Sequence, residues 1–395
     1  MDKEIFLSDC TKLLPELISI RRHLHKFPEL SFQEVDTGNF LKKKLDECGI
    51  DYVSGFAGNG IVATIECNTP NGKYLYLRAD MDALPITEVA DRPHRSANEG
   101  VMHACGHDAH MTCLLGAIQL ISKHKAQLKH SVKFIFQPGE EKLPGGAKLM
   151  IEQGAVKPDE ALGIIALHVF PELETGKLGF HAGPYMASGD ELYIEITGKG
   201  GHAATPHLCV DPIIVSAAVI QRIQEFISRN KNPLTNSVLT IGKINSVGGA
   251  TNVIPDRVKL EGTFRSLDEH WRNYVLTQLP ISLQSIAEAH GAEIDVRFEK
   301  GYPVLINDID LTQKIEKLSN DLLGQENIIT LDKRMTAEDF AWYAQVIPAC
   351  FFRLGTGNIQ TGITSSVHTP AFDIDERSLS IGAGALAWAA LNFTS

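Results

Sequence analysis

The sequence predicts an α/β protein with a mostly parallel central sheet, interrupted by a smaller α+β insertion. Three observations support this prediction. Strand-like and helix-like segments alternate through the first half of the chain, the pattern changes at residue 184, and α/β character returns after residue 296. We therefore expect a discontinuous first domain, residues 1–183 and 297–395, with an inserted domain at residues 184–296.

The first half of the chain supplies the elements of the parallel sheet. Residues 4–47 have apolar side chains at helical spacing, broken at Pro28, and predict helices. The segment that follows Asp108 also predicts a helix. Strands are expected at GIVATIEC, KYLYLRAD, SVKFIFQ and ALGIIALHVF. The last of these is apolar almost throughout, as expected of a strand covered on both faces.

The inserted segment has the order strand, helix, two strands, helix, strand, which is typical of a ferredoxin-like α+β sandwich. Its strands are expected at ELYIEITGKG, SVLTIGKINSV, DRVKLEGTFRS and AEIDVRFEKG. Its helices are expected at DPIIVSAAVIQRIQEFI and, from Pro280, at PISLQSIAEAHG. Near the end of the chain, residues 381–393 are apolar but too few to cross a bilayer, so a packed helix is expected there.

Composition argues against several classes of partner. The chain has 37 Lys and Arg against 48 Asp and Glu, a net charge of −11, which disfavours nucleic acids and anionic membrane surfaces. The seven cysteines are odd in number and scattered, so a reducing cytoplasm is favoured over a disulfide framework. The first residues, MDKEIFLSDC, lack the cationic and apolar segments of a signal peptide. We therefore expect a cytoplasmic protein.

Side chains that can bind metals follow successive predicted strands, where ligands bind in open α/β sheets. They are Asp80 and Asp82, then Cys105 and His107 before a helix, Glu140 and Glu141, His168 at the end of a buried strand and, far along the chain, His368. Taken alone, most have a simpler explanation, such as a buried thiol, a helix cap or a solvated turn. Four strand-edge loops that carry such residues at one edge are hard to explain in that way.

The donor types indicate a catalytic metal site. Sulfur, nitrogen and oxygen donors in this mixture suit zinc, manganese, nickel or cobalt, and their wide dispersion is unlike a compact structural zinc site. The two adjacent glutamates allow one carboxylate to bind metal while its neighbour transfers protons, as metal-assisted hydrolysis requires. Motifs of competing chemistries are absent from the sequence: it has no P-loop, no G-x-S-x-G elbow and no C-x-x-C pair.

Eight segments resemble, in order, those of metallopeptidase family 20, in the branch of the hippurate hydrolases, N-acyl-amino-acid deacetylases and auxin-conjugate hydrolases. They are RRHLHKFPELSFQE, LRADMDALPI, MHACGHDAHM, FQPGEE, LHVFPELETG, GKGGHAATPH, TNVIPD and TAEDFAWY. The resemblance covers nearly the whole chain, and MHACGHDAH with the later glutamate pair is its most specific part. It implies a zinc-peptidase-like catalytic domain with an inserted lid or dimerisation domain.

The resemblance also implies a site for two divalent cations, which could be zinc, manganese, nickel or cobalt. The implied metal ligands are Cys105, His107, Glu141, His168 and His368. Glu140 would be the general base, and Asp82 matches the catalytic aspartate of the family. Asp80, a further candidate catalytic residue, stands where more distant relatives have a histidine ligand, and Cys105 supplies the missing donor.

In the inserted segment the resemblance implies three further functional residues. His202 resembles a histidine that reaches the active site of a neighbouring subunit and stabilises the oxyanion there. Asn252 and Arg265 resemble residues that hold the carboxylate of the substrate, a task that suits the planar guanidinium group. A homodimer formed through the inserted domain is therefore expected.

The expected activity is hydrolysis of the amide bond of a small N-acyl amino acid, such as hippurate or an N-acetyl amino acid. Two cations would activate a water molecule, and Glu140 would take its proton. Two alternatives remain open: a dipeptidase or carboxypeptidase on the same scaffold, and a non-catalytic metal-binding protein. The glutamate pair argues against the last, because a binding protein needs no second, unliganded glutamate.

Overall fold

A computed structural model of the protein describes residues 2–394, and the chain divides into two compact units. The first unit comprises Met1–Gly183, Ile306–Asp332 and Trp342–Ser395, and the second comprises Pro184–Leu305 and Lys333–Ala341. Among the described residues, no helix is both long enough and apolar enough to span a membrane.

Helices and strands alternate along the chain. The elements up to residue 180 are α1 (Lys3–Lys26), α2 (Val35–Glu47), β1 (Asp51–Phe56), β2 (Gly60–Ile65), β3 (Tyr74–Asp80), α3 (His107–Lys123), β4 (Ser131–Gln137), α4 (Gly146–Glu152), β5 (Ala161–Glu174) and β6 (Leu178–Phe180). The next are β7 (Gly183–Met186), β8 (Asp190–Thr197), β9 (Gly201–His202), α5 (Pro212–Asn230), β10 (Ser237–Val247), β11 (Val253–Ile254), β12 (Arg257–Ser266), α6 (Glu269–Ala289) and β13 (Glu293–Lys300). The last are β14 (Leu305–Asn307), α7 (Ile309–Leu323), β15 (Ile328–Thr330), α8 (Ala341–Ala344), β16 (Ala349–Gly357) and α9 (Ser378–Asn392).

The first unit contains an eight-stranded sheet with the strand order β1-β2-β4-β3-β5-β16-β6-β15. Its centre is parallel, because β4, β3, β5 and β16 pair in parallel with one another in that order, whereas β1 and β2 at one edge, and β6 beside β16, pair antiparallel. The mostly parallel sheet predicted from the sequence is therefore confirmed. Strand β1 was not indicated by the sequence pattern, because most of its side chains are exposed and do not alternate with buried ones.

Helices α1, α3 and α9 pack together in the core of the first unit. Helix α3 is buried along almost its whole length, as its apolar sequence requires. The apolar residues 381–393 form most of α9, the packed terminal helix that the sequence predicts. Full burial of one large apolar side chain stabilises a fold by about 1.5–3 kcal/mol, so this helical layer holds the first turn of α3 firmly against the sheet.

The second unit is a four-stranded antiparallel sheet, with the order β10-β12-β8-β13, that packs against α5 and α6. This is the ferredoxin-like arrangement predicted from the sequence. The unit continues past residue 296 because β13 pairs with β8 as far as Lys300.

Helix α6 begins at Glu269, eleven residues before the expected start at Pro280. Asp268 caps it by accepting a hydrogen bond from the backbone amide of Trp271 at 2.8 Å. Buried Trp271 and Val275 then continue its apolar face. Proline is usually found in the first turn of a helix, so Pro280 indicated a helix start and the turns of α6 before it were not predicted from the sequence.

Candidate metal centre

Side chains from several connections of the first unit meet at the carboxyl end of its parallel strands. Asp80 and Gln137, the last residues of β3 and β4, are paired in register. His168 lies on β5 two residues beyond Ala166, which pairs with Arg78 of β3. Three overlapping groups have potential ligand atoms within 4.8 Å of one another: Cys105, His107 and His168; Cys105, Glu141 and His368; and His107, Glu140 and Glu141.

A tight turn before α3 places Cys105 and His107 at this edge. Gly106 between them adopts a left-handed conformation with a φ of 84°. A Cβ atom there would lie 2.5 Å from Cγ2 of Val169 on β5, so only glycine allows the turn to approach the strand this closely. The thiol of Cys105 is buried and lies 3.4 Å from Nε2 of His168.

The hydrogen bonds of His168 leave one ring nitrogen suited to metal binding. Nδ1 lies 2.7 Å from the carbonyl oxygen of Val169, which can only accept, so Nδ1 carries the proton. Nε2 is then unprotonated and directs its lone pair towards Cys105. Burial, with a further contribution from Arg353, holds the pKa of His168 well below its ordinary value and keeps the ring neutral.

His107 lies among carboxylates. Its Nδ1 is 3.3 Å from Asp82, and its Nε2 is 3.7 Å from Asp80 and 4.0 Å from Glu141. Burial opposes protonation of the ring, but the charges of Asp80 and Asp82 outweigh it and raise the pKa of His107 to about 10. The surroundings of His107 therefore strongly favour positive charge.

His368 is brought to the cluster by an unusual backbone conformation. Its φ is 61°, and its amide donates to the carbonyl oxygen of Ala104, next to Cys105. Its Nε2 lies 3.2 Å from Oε1 of Glu141. Non-glycine residues in the left-handed region are uncommon and concentrate at functional sites, which is consistent with a role for this side chain.

Asp82 holds the segment that carries the two glutamates. Its carboxylate accepts hydrogen bonds from the amides of Glu140 at 3.0 Å and Glu141 at 2.9 Å, and from the hydroxyl of Ser31 at 2.6 Å. The same carboxylate faces Nδ1 of His107. Although buried, it is kept ionised by these contacts, which lower its pKa. Asp82 thus connects the glutamate pair to His107.

Asp80 is fully buried in a network that sequence reasoning did not identify. It accepts hydrogen bonds at 2.6 Å from Arg78 and from Nδ1 of His110. Nε2 of His110 in turn accepts from the amide of Val169, so both of its ring nitrogens are occupied and it is not available to a metal. Burial raises the pKa of Asp80, but His107, Arg78 and His110 outweigh it and hold that pKa well below the ordinary range. The spacing of His107 and His110 along one helix could have revealed this partner.

A second buried network, centred on Arg21, supports the turn before α3. The guanidinium group of Arg21 on α1 is fully buried and lies 2.8 Å from the carboxylates of both Asp108 and Asp373. Asp108 follows His107 in sequence, and Asp373 lies five residues after His368. Breaking a fully buried ion pair, such as that of Arg21 and Asp108, by removing one partner costs about 3–5 kcal/mol. Arg21 therefore links α1 firmly to the segment of His107 and also contacts the segment of His368.

The cluster fits a divalent cation by two independent features of its residues. Nε2 of His107 and Oε1 of Glu141 are buried but form no hydrogen bond with any residue in the described part of the chain. Buried polar atoms without hydrogen bonds are costly, and a cation would bind both. The excess of carboxylates around His107 also favours positive charge, and the S, N and O donors match those of catalytic sites for transition metals.

The remaining candidate residues lie in the second unit. Strands β9 and β11 pair His202 with Val253, which places His202 beside Asn252. Nδ1 of His202 accepts from the amide of Ala204 at 3.0 Å, so Nε2 of the neutral ring carries a proton that it can donate. The side chain of Arg265, on β12, is half-buried, and its guanidinium group forms no hydrogen bond or ion pair with the residues that the structure describes.

Fold and cluster together define a metal-dependent hydrolase, and comparisons with known proteins identify its family. The sequence model of "Peptidase family M20/M25/M40" matches residues 76–392. N-acetyl-L-cysteine deacetylase of Bacillus subtilis is 40% identical over 365 residues, covering 92% of this chain and 85% of that protein. IAA-amino acid hydrolase ILR1-like 4 of Arabidopsis thaliana is 38% identical over 371 residues, covering 93% and 83%.

Among solved structures, the Bacillus subtilis YXEP protein, a dinuclear metal-binding peptidase of the M20 family, superposes with a TM-score of 0.84. It is 32% identical, and the alignment covers 96% of this chain and 98% of that one. This chain therefore belongs to peptidase family M20/M25/M40.

Proposed function

We propose that this enzyme hydrolyses the amide bond of N-acyl amino acids, and that Glu140 is its general base. The observation that carries the proposal is the adjacent glutamate pair, with Glu141 directed towards the donors of Cys105 and His368 and Glu140 beside it. The named activities of the deacetylase and of the IAA-amino acid hydrolase support this substrate class.

We propose two divalent cations per subunit, held by Cys105, His107, Glu141, His168 and His368. The overlap of two donor groups at Cys105 supports this number, as does the dinuclear character of the YXEP protein. Zinc, manganese, nickel and cobalt all suit these donors. Cations at such a site supply Lewis acidity, which polarises a carbonyl group and makes water more acidic.

Each step of the reaction needs a residue of this chain. Glu140 takes a proton from water as the water oxygen attacks the amide carbon, and it later gives that proton to the leaving nitrogen. Asp82 holds Glu140 and Glu141 through their backbone amides, so the base remains oriented during both transfers. Asp80 fixes the ring orientation of His110 by a hydrogen bond, and its negative charge lies 3.7 Å from Nε2 of His107.

We propose that three residues of the second unit bind substrate. Arg265 pairs with the carboxylate of the amino acid, and the absence of a described partner for its guanidinium group supports this role. Asn252 assists it. His202 donates from Nε2 to the oxyanion in the active site of a neighbouring subunit, since Nδ1 is already occupied by the amide of Ala204.

A substrate panel tests this proposal. Metal-stripped enzyme, loaded separately with zinc, manganese, cobalt or nickel, would be assayed with hippurate, N-acetyl amino acids and dipeptides. We expect the N-acyl amino acids to be cleaved with a kcat/KM at least about tenfold above that of dipeptides, since a mismatched polar group costs at least that much.

The carboxamide of the best substrate and the Arg265→Ala variant are the controls. Wild-type enzyme should discriminate against the carboxamide, and the variant should discriminate much less, because Arg265 supplies the positive charge that pairs with the carboxylate. Preferential cleavage of dipeptides would contradict the proposed substrate class. Absence of amide turnover with every metal would indicate a metal-binding protein instead.

We further propose a homodimer formed through the second unit. Strand β10 is one of the two edge strands of its sheet, and Ile244 and Val247 on it are exposed by 56% and 36%. Unpaired edges with apolar side chains tend to pair with another chain.

We also propose a cytoplasmic location, which the seven free cysteines support.

Sedimentation measurements would test the dimer. The wild-type protein is expected to sediment as a dimer, and Ile244→Lys is expected to shift it towards the monomer because a charge would be buried at the interface. Val53→Lys is the matched control, since Val53 is 62% exposed on β1, an edge strand of the eight-stranded sheet. An unchanged dimer with Ile244→Lys would exclude this edge.

A further inference from the structure

The segment between α1 and α2, residues 29–34, has a packing role that its sequence, ELSFQE, does not reveal. We call it the bracing segment. It runs alongside the residues that follow β3: Leu30 forms a parallel bridge with Ala83, and the amide of Ala83 donates to the carbonyl of Glu29 at 2.8 Å. Ser31 donates to Asp82 from the same segment. The bracing segment therefore lies directly against the residue that holds the two glutamates.

The loop of residues 138–141, here called the glutamate loop, presents three successive amides to buried carboxylates. The amide of Gly139 donates to Oε1 of Glu34 at 2.8 Å. The amides of Glu140 and Glu141 donate to the two oxygens of Asp82. Glu34 and Asp82, which come from different segments, thus hold the backbone on both sides of the proposed base.

The contact between Glu34 and the glutamate loop depends on the backbone conformations of Phe32 and Gly139. Phe32 adopts a φ of 66°, and its amide donates to the same oxygen of Glu34 at 2.9 Å. Gly139 has a φ of 64°, and a Cβ atom there would lie 2.4 Å from the ring of Phe32. Because Phe32 is not a glycine, its left-handed conformation beside this carboxylate indicates that the surrounding structure enforces it.

The side chain of Glu34 does not cap α2, the helix that follows it. It occupies the N-cap position of α2, but its side chain caps no amide of that helix. The side chain of Glu29 caps α2 instead, accepting hydrogen bonds from the amides of Asp36 at 3.2 Å and Thr37 at 2.8 Å. The carboxylate of Glu34, fully buried, is therefore available to the glutamate loop.

We propose that Glu34 is a positioning residue for the general base, because it fixes the glutamate loop through Gly139 and so orients the carboxylate of Glu140. The inference rests on the proposed function of Glu140. Burial, and then the charge of Asp82, raise the pKa of Glu34 to about 7, so a neutral side chain at this position is compatible with the contact. What the loop requires is an acceptor oxygen at this distance.

The test compares Glu34→Ala, Glu34→Gln and Glu29→Ala. Glu34→Ala is expected to lower kcat by about 10- to 100-fold with KM and bound metal close to wild type, because a misplaced base slows the chemical step alone. Glu34→Gln keeps an acceptor oxygen and should recover most of kcat. Glu29→Ala removes a carboxylate that binds two amides of the same region, but it should leave kcat unchanged.

Amide hydrogen exchange in the metal-stripped proteins gives a readout independent of turnover. Exchange at residues 138–141 should be faster in Glu34→Ala than in wild type, and not in Glu29→Ala. If Glu34→Ala does not fold, Glu34→Asp takes its place in the test. Its shorter side chain should likewise lower kcat and speed amide exchange at residues 138–141.

Wild-type kcat in the folded Ala or Asp variant, or equal losses with Glu34→Gln and Glu34→Ala, would overturn the proposal. A wild-type kcat for Glu140→Gln would instead refute the proposed base, and exchange at the glutamate loop would still report whether Glu34 holds it.

Discussion

Replacing Glu140 by glutamine is expected to lower kcat by about 1,000-fold, within the range that general acid–base catalysis contributes. The amide side chain cannot take a proton from water or return one to the leaving nitrogen. The backbone amide of residue 140 would still donate to Asp82 in this variant, so the glutamate loop should keep its conformation. Bound metal, measured by elemental analysis, and KM should therefore remain close to wild type.

Glu141→Gln is the matched control for this variant, because the two residues are adjacent and share Asp82 as a partner. It should lose metal as well as activity, since Glu141 lies with Cys105 and His368. If Glu140→Gln lost metal while Glu141→Gln retained it, the roles of the two glutamates would be exchanged. A fully active Glu140→Gln variant would exclude Glu140 as the base.

His107→Ala is expected to remove both metal and activity. His107 belongs both to the donor group of Cys105 and His168 and to that of Glu140 and Glu141, so its loss should affect both proposed cations. Changes to residues that merely support a ligand weaken metal binding by about 10- to 100-fold, and loss of the ligand itself should exceed that range. Titration of the stripped variant with zinc or manganese, followed by calorimetry, measures the effect directly.

His23→Ala provides the comparison for this loss, because it removes an exposed histidine that stacks on Phe40 rather than joining the cluster. Its metal affinity and kcat should equal those of wild type. Wild-type metal affinity in His107→Ala would contradict the proposed ligand set, even if activity were lost for another reason.

The sequence predicted the architecture because that information is local. Apolar runs indicated β3, β4 and β5, and the rule that ligands bind at the carboxyl ends of parallel strands indicated where Asp80, Glu140 and His168 would lie. The geometry of the first unit brings the five proposed ligands together. Their roles, and those of the second-unit residues, stay predictions until they are tested by substitution.

The supporting contacts could not be predicted in this way, because they depend on distances between segments far apart in sequence. Nothing in ELSFQE indicates that Glu34 faces Gly139, and nothing near Arg78 indicates that it pairs with Asp80. Strand β1 was missed because it is exposed, and the start of α6 because Pro280 lies within the helix. These cases required knowledge of tertiary packing.

The position of His368 has a consequence for how the enzyme is made. A growing polypeptide contains Cys105, His107, Glu141 and His168 well before the ribosome adds the last proposed donor, which lies 200 positions after His168. Asp373, the partner of Arg21 near the N-terminus, arrives later still. We therefore expect the proposed site to be complete only once synthesis has passed His368, so a product terminated before that residue would lack one of the five proposed donors.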